Sequence, residues 1–270
     1  MEINRNNVLE IINKSGLKPD KDYGQNFLVD PIISKRIVDQ LELKNDDSVL
    51  EIGPGIGSLT HFLSQNNSAS IDLVDIDQRM VDFLRILYSN PNIDIVLSDI
   101  RKHDVSKYNK ILGNLPYNIT TETIVYLLER ASKADKMVLM CQSEAFDHFN
   151  DLTGKEYGPS SILLHLVSSI KRCFNVKPGS FYPPPKCTST VFVIDFKQGV
   201  DRELSVEVYR FSKKLFLNRR KTIYNNLSSL LGDKEKAESI LNASRIPLTK
   251  RPEELSPETF VELYKAINNL

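Results

Sequence analysis

The sequence predicts an α/β fold: a mostly parallel sheet with helices on both faces, followed by a small all-helical C-terminal part. Three observations predict it. Short apolar runs alternate with helical patterns through the first two thirds of the chain, the spacing of strand–helix–strand crossover units. A turn rich in glycine, Gly53-Pro54-Gly55-Ile56-Gly57, follows the first strong apolar run. Beyond about residue 199 the apolar spacing is helical only.

Taken in order, the predicted strands lie at 48–52, 71–74, 93–97, 110–112, 137–141 and 190–196. Helical patterns fill 31–43, 57–66, 77–88, 119–133 and 160–170. The stretch 177–186, KPGSFYPPPK, is too rich in proline for regular structure and predicts a shaped loop before the last strand. Residues 206–231 read as one long amphipathic helix. At 100° per residue, Arg210, Lys213, Lys214, Arg220 and Lys221 fall within an arc of about 120°. Phe211, Leu215, Phe216 and Ile223 lie mostly opposite, with Arg219 on the apolar side. The expected division is a catalytic domain over 1–198 and a helical domain over 199–270.

Composition narrows the class. The chain is 41% hydrophobic and 26% charged, ordinary for a soluble globular protein. No stretch approaches the roughly 18 consecutive apolar residues of a membrane span. The opening residues, MEINRNNVLEIINKSGLKPD, carry no signal-peptide core. Cys141, Cys173 and Cys187 are scattered and odd in number, which suggests neither a disulfide framework nor a zinc site. His61, His103, His148 and His165 are equally dispersed. The expectation is a cytoplasmic monomer without metal and without a membrane partner. Net charge is zero, but residues 1–170 hold 17 Lys and Arg against 24 Asp and Glu, while residues 171–270 hold 18 against 11. A basic back half points to a polyanionic partner.

The glycine turn belongs to the string LEIGPGIGSLT, residues 50–60. Glycines at 53, 55 and 57 let the backbone turn sharply and approach a ligand closely. A dinucleotide fingerprint would put its third glycine at position 58, which is Ser58. The observed spacing after Glu51 is the E-x-G-x-G-x-G form of S-adenosylmethionine (AdoMet) enzymes, with Gly53 and Gly55 nearest the cofactor. Asp75 ends the next strand, where an acid can accept both ribose hydroxyls of an adenosine. Asp77, two residues on, reads as a helix cap. Asp99 follows the third strand and can accept from the exocyclic amine of the cofactor's adenine. Gly, Asp and Asp at successive strand ends share the binding edge of such a sheet.

The fourth strand runs into GNLPYN, residues 113–118. Transfer of a methyl group to the amine of adenine meets a weak nucleophile, because that lone pair is delocalised into the ring. Two acceptors on its N–H groups draw the nitrogen towards a tetrahedral, more reactive state. The Asn114 side-chain carbonyl can be one. The Leu115 main-chain carbonyl can be the other, since Pro116 holds the residue before it extended. Tyr117 offers a flat face for an unstacked base, worth ~1–3 kcal/mol.

These residues carry a family resemblance. YGQNFLVD (23–30), LEIGPGIGSLT, GNLPYN, FYPPPKCTSTV (181–191) and FLNRRKTIYNNL (216–227) resemble signatures of the ribosomal RNA adenine dimethyltransferases of the KsgA/RsmA type, relatives of the Erm methylases. The resemblance spans nearly the whole chain. It implies a Rossmann-like class I AdoMet-dependent methyltransferase sheet. It implies AdoMet contacts at Asn26, Leu28, Gly53, Asp75, Asp99 and Asn114. For Phe181 it implies either a cap over the target base or a packing role. The implied substrate is a pair of adjacent adenines in a hairpin loop near the 3′ end of small-subunit (16S) rRNA within the immature 30S subunit. Both become N6,N6-dimethyladenosine. The basic face carrying Arg210, Lys213, Lys214, Arg220 and Lys221 would meet RNA phosphates. Three positions depart from the family pattern: Asp75 stands for Glu, Ser143 for a basic residue, and Ile100 for Ala. An Erm-like large-subunit specificity and a catalytically weakened assembly factor are the competing readings.

Overall fold

An amphipathic segment, α1 (Val8–Ser15), and a short strand, β1 (Phe27–Leu28), precede the first sheet-covering helix, α2 (Pro31–Asp39), in the computed structural model, which describes residues 1–20, 23–66, 69–116 and 119–268. Asp30 caps α2 by accepting from the Ile33 N–H, and Pro31 presets its first turn.

The central strands are β2 (Ser48–Ile52), β3 (Ser70–Asp75), β4 (Ile93–Leu97), β5 (Lys110–Asn114) and β6 (Lys136–Gln142). They run parallel, each near an apolar run of the sequence. The interiors of β2, β3, β5 and β6 are buried from both faces, the pattern of a covered parallel sheet, while β4 at the edge is partly exposed. β9 (Ser189–Phe196) closes antiparallel on β6, and β7 (Ser168–Val176) lies beyond it at the edge. The strand order is β4-β3-β2-β5-β6-β9-β7. A separate two-stranded ribbon pairs β1 with β8 (Phe181–Tyr182).

Helices α3 (Thr60–Leu63), α4 (Gln78–Leu87) and α5 (Thr120–Arg130) connect the parallel strands. The helix expected over 57–66 is shortened to Thr60–Leu63, because the glycine turn occupies the residues before it. Strand β7 occupies residues read in part as helix. Its polar positions are exposed at the sheet edge, so it lacks the apolar signature of the inner strands. Asp77 caps α4 through the Arg79 N–H, as the sequence indicates.

The chain divides into two compact parts, Met1–Phe146 with Ile170–Phe196, and Asp147–Ser169 with Lys197–Leu270. The expected boundary at 198/199 lies two residues from the third and last crossing, but 147–169 groups with the helical part instead of the catalytic one. The reason is packing. Tyr157 and Ile162 join Val208, Leu215, Leu227 and Phe260 in the core of that part. Tyr157 lies between α6 (Ser143–Asn150) and α7 (Pro159–Val167), Ile162 on α7, and the last four on α8 (Arg202–Phe216), α9 (Ile223–Leu231) and α11 (Pro257–Asn268), with α10 (Lys234–Ala243) between the last two.

The long helix expected over 206–231 is two helices. α8 ends at Phe216, and Thr222 caps α9 by accepting from the Asn225 N–H. The buried Asn226 amide donates to the carbonyls of Asn218, Lys221 and Thr222, fixing the turn between them. Arg220 and Lys221 therefore sit in that turn, not on the helix face that a continuous 100° count assigned them.

Candidate active site

A cavity of about 320 Å³ opens at the carboxyl ends of β2, β3, β4 and β5. Strand order reverses there, since β2 has β3 on one side and β5 on the other, and such reversals are where open α/β sheets bind ligands. Of the predicted site residues, Asn26, Leu28, Gly53, Gly55, Asp75, Asp99, Asn114, Leu115 and Pro116 all line this one cavity. They come from five separate stretches of chain. Tyr117 lies outside the described residues.

The floor is main chain. Gly55 takes φ +55° and Gly57 φ +89°, backbone conformations that side chains disfavour. A Cβ on Gly55 would stand 3.3 Å from the Phe27 ring, and one on Gly57 3.1 Å from Leu84 Cδ2. Two glycines are thus required by geometry, and the β1 segment seals the turn from above. Ser58 donates to the Leu28 carbonyl at 2.6 Å, tying the two together.

Three carboxyl groups line the cavity. Asp75 is buried. Its Oδ1 accepts from the Asp77 N–H at 2.9 Å and its Oδ2 from the Gly55 N–H at 3.2 Å. Each oxygen keeps further acceptor capacity for a ribose hydroxyl. Burial pushes its pKa up to about 6, although those main-chain bonds oppose the shift. The shorter Asp is therefore held in place by the glycine turn itself. Glu51 is fully buried behind it, bonded by the Thr60 hydroxyl at 2.7 Å. Burial raises its carboxyl to about 8. Asp99 behaves oppositely. The Arg101 guanidinium beside it holds its carboxyl below the usual range.

The Asn-Leu-Pro loop leaves β5 at Asn114. Its side-chain Nδ2 donates to the Asn26 carbonyl at 3.3 Å. Among the described residues no donor reaches its Oδ1. Leu115 donates its N–H to the Met140 carbonyl at 2.9 Å, pinning the loop to β6, and its own carbonyl accepts nothing among the described residues. The Pro116 carbonyl turns the other way and accepts from the Thr120 hydroxyl at 2.9 Å, at the start of α5. Two acceptors, one amide and one main-chain, are left beside the cavity.

Other predicted positions fall elsewhere. Phe181 does not line the cavity. It is 4% exposed, sits in the sheet core, and pairs with Leu28 through the ribbon. Of the roles implied for it, the structure supports packing. Ser143 also lies away from the cavity, bonded to the Thr188 carbonyl and the Thr190 hydroxyl. Ile100, by contrast, lines it. In the helical part Arg210, Lys213, Lys214, Arg220 and Lys221 are all exposed. Arg210 is ion-paired with Glu207 at 2.6 Å, and Arg219, the misfit of the helical count, is bonded to Glu253 at 2.7 Å. Sequence reasoning did not assign Gln25 and Ser58, which lie inside the quoted motifs, to the cavity wall, and it missed Arg101 and Ile119, which no motif contains.

A parallel sheet with a glycine turn, a buried acid at the end of the next strand and an Asn-Leu-Pro loop at its switch point defines a Rossmann-like methyltransferase. The ribosomal RNA adenine dimethylase family matches residues 16–269, and the chain belongs to that family. A relative named ribosomal RNA small subunit methyltransferase A from Malacoplasma penetrans is 36% identical over 263 residues, covering 96% of this chain and 95% of its own. The protein of the same name from Streptococcus gordonii is 34% identical over 277 residues, with the same coverage of 96% and 95%. Among solved structures, a dimethyladenosine transferase from Plasmodium falciparum aligns with a TM-score of 0.75 at 26% identity, covering 90% of this chain and 98% of its own. The 23S rRNA methyltransferase ErmE shares the fold, at TM-score 0.68 and 22% identity over 90% of this chain and 100% of its own.

Proposed function

We propose that the protein transfers methyl groups from AdoMet to N6 of a pair of adjacent adenines in small-subunit rRNA, giving N6,N6-dimethyladenosine. The target is a 3′-terminal hairpin loop in the immature 30S subunit, and the setting is the cytoplasm. The observation that carries this reading is the pair of acceptors at Asn114 Oδ1 and Leu115 O beside a nucleoside-sized cavity. The names of the curated relatives support the small subunit as the RNA source.

The residues fit a nucleoside co-substrate. The glycine turn leaves room for its backbone approach, Asp75 accepts from ribose, and Asp99 accepts from the adenine amine. AdoMet supplies an electrophilic methyl on a sulfonium. Everything else falls to the chain. Asn114 and Leu115 grip the target amine, align its lone pair with the cavity, and stabilise the positive charge that grows on nitrogen. The surplus proton leaves after transfer, once the nitrogen is cationic and acidic. The target base must leave its stack to reach this loop, which single-stranded rRNA loops permit. Exposed cations of the helical part hold phosphates.

The test is incubation of the protein and labelled AdoMet with isolated small and large ribosomal subunits lacking the modification. Label is expected on adenine N6 of the small subunit only. Label confined to the large subunit, or none on either, overturns the reading.

A further inference from the structure

Arg101 lines the cavity, and its role is unassigned. Its main-chain N–H and its Nε both donate to Asp99 Oδ1 at 3.0 Å, and its Nη2 donates to Asp99 Oδ2 at 2.8 Å. A carboxylate has about four acceptor positions. Three donors from one residue fill the Oδ1 side and one position on Oδ2. The carboxylate is left fixed in orientation, ionised, with acceptor capacity only on Oδ2. Its remaining guanidinium nitrogen, Nη1, donates to Glu122 at 2.7 Å on the first turn of α5. One helical turn further, the Tyr126 hydroxyl donates to the His103 carbonyl at 2.8 Å. The 3-10 turn Ile100–Lys102 and its C-cap His103 are therefore clasped to α5 at two points, and α5 begins directly after the Asn114 loop.

Resting on the proposed function, we propose that Arg101 is a positioning residue that makes Asp99 a one-way acceptor for the exocyclic amine of the co-substrate's adenine. It also joins that acceptor to the helix that carries the methyl-accepting loop. A carboxylate locked in this way rewards an amino group at the purine 6-position and repels a 6-oxo group, whose oxygen would face it with no proton between. Lysine cannot replace the fork, since an ammonium is a point donor without paired planar geometry. Remove the guanidinium and Asp99 is free to rotate and to take up a proton, so that it can donate to a 6-oxo oxygen as readily as accept from an amine.

The test measures affinity by calorimetry for S-adenosylhomocysteine and for its 6-oxo counterpart, S-inosylhomocysteine, in wild-type protein, Arg101→Ala and Tyr126→Phe. Wild type is expected to prefer the amine on the order of 10²-fold, as sites built around one hydrogen bond do when the wrong group leaves a buried polar atom unpaired. Arg101→Ala is expected to cut that preference by about tenfold or more, the loss of one charge-assisted contact. Tyr126→Phe removes the second clasp without touching Asp99 and is expected to keep the preference. Full preference in Arg101→Ala overturns the inference while leaving the proposed function standing. Equal loss in Tyr126→Phe also overturns it, because the effect is then one of general packing. Wild-type protein that binds neither nucleoside overturns the proposed function, and this inference with it.

Discussion

The side-chain amide of Asn114 donates to the main-chain carbonyl of Asn26 across 3.3 Å, linking positions 88 residues apart. An amide bonded through its nitrogen presents its oxygen elsewhere. The YGQNFLVD segment thus does more than cover the cavity. It sets which end of Asn114 is left without a donor, the end that the proposed mechanism gives to the substrate amine.

Replacing Asn114 by Ala removes both the tether and the acceptor. Methylation of immature small subunits is expected to fall by about 10²–10³-fold, the cost of deleting one pre-organised transition-state contact. The melting temperature should barely move, since no core side chain is lost. Labelled transfer and thermal denaturation on the same preparation check both halves. A variant that keeps its rate rules out the Asn114 role.

Glu51 makes stability depend on pH. Its carboxyl is raised by burial from the model-peptide value of 4.5 to about 8 in the folded protein. Between those values the folded state holds a proton that the unfolded state has lost. Stability is therefore greatest below the lower value and declines as pH rises towards about 8. The slope approaches about 1.4 kcal/mol per pH unit for one group. Glu51→Gln keeps an acceptor for Thr60 and cannot ionise. Denaturant midpoints measured from pH 5 to 8 should fall for wild type relative to this variant. Parallel curves would show that Glu51 does not titrate in that window.

Phe181 tests packing against base recognition. Its ring is buried in the sheet core, so Phe181→Ala is expected to cost about 3–5 kcal/mol in unfolding free energy. Phe181→Leu should restore most of that stability together with the methylation rate. A variant of full stability with failed methylation would return Phe181 to the target base.

The exposed cations of the helical part are expected to act unequally. Lys214, Arg220 and Lys221 have no carboxylate within ion-pair distance among the described residues, whereas Arg210 is held by Glu207. Alanine at each of the first three should weaken RNA binding and lower the slope of log affinity against log salt by about one. Arg210→Ala should do less, because Glu207 already neutralises it. Filter binding across a salt series separates the two. Equal slopes for all variants would place the phosphate contacts on another surface.

Much of this protein was legible in its sequence. Apolar runs at crossover spacing fix a parallel sheet, because strand burial on both faces needs them, and chain order then puts Gly53, Asp75, Asp99 and Asn114 on one edge. Local signals also identify the Asp77 cap and the Pro116 turn, since the Arg79 N–H and the Thr120 hydroxyl that bond there are near neighbours in sequence. What the tertiary structure alone decided involves residues distant in sequence or free of any period. The break between α8 and α9 depends on a buried Asn226 amide gripping three carbonyls, and helical periodicity carries no sign of it. Edge strand β7 is polar because only one side of it meets a neighbour strand. The 147–169 segment takes its place by side-chain packing with helices much later in the chain. Arg101 holds Asp99 and Glu122 because a 3-10 turn and a helix are brought side by side. Spacing encodes which groups share an edge, but the availability of each acceptor is set by whichever distant donor the folded chain brings to it.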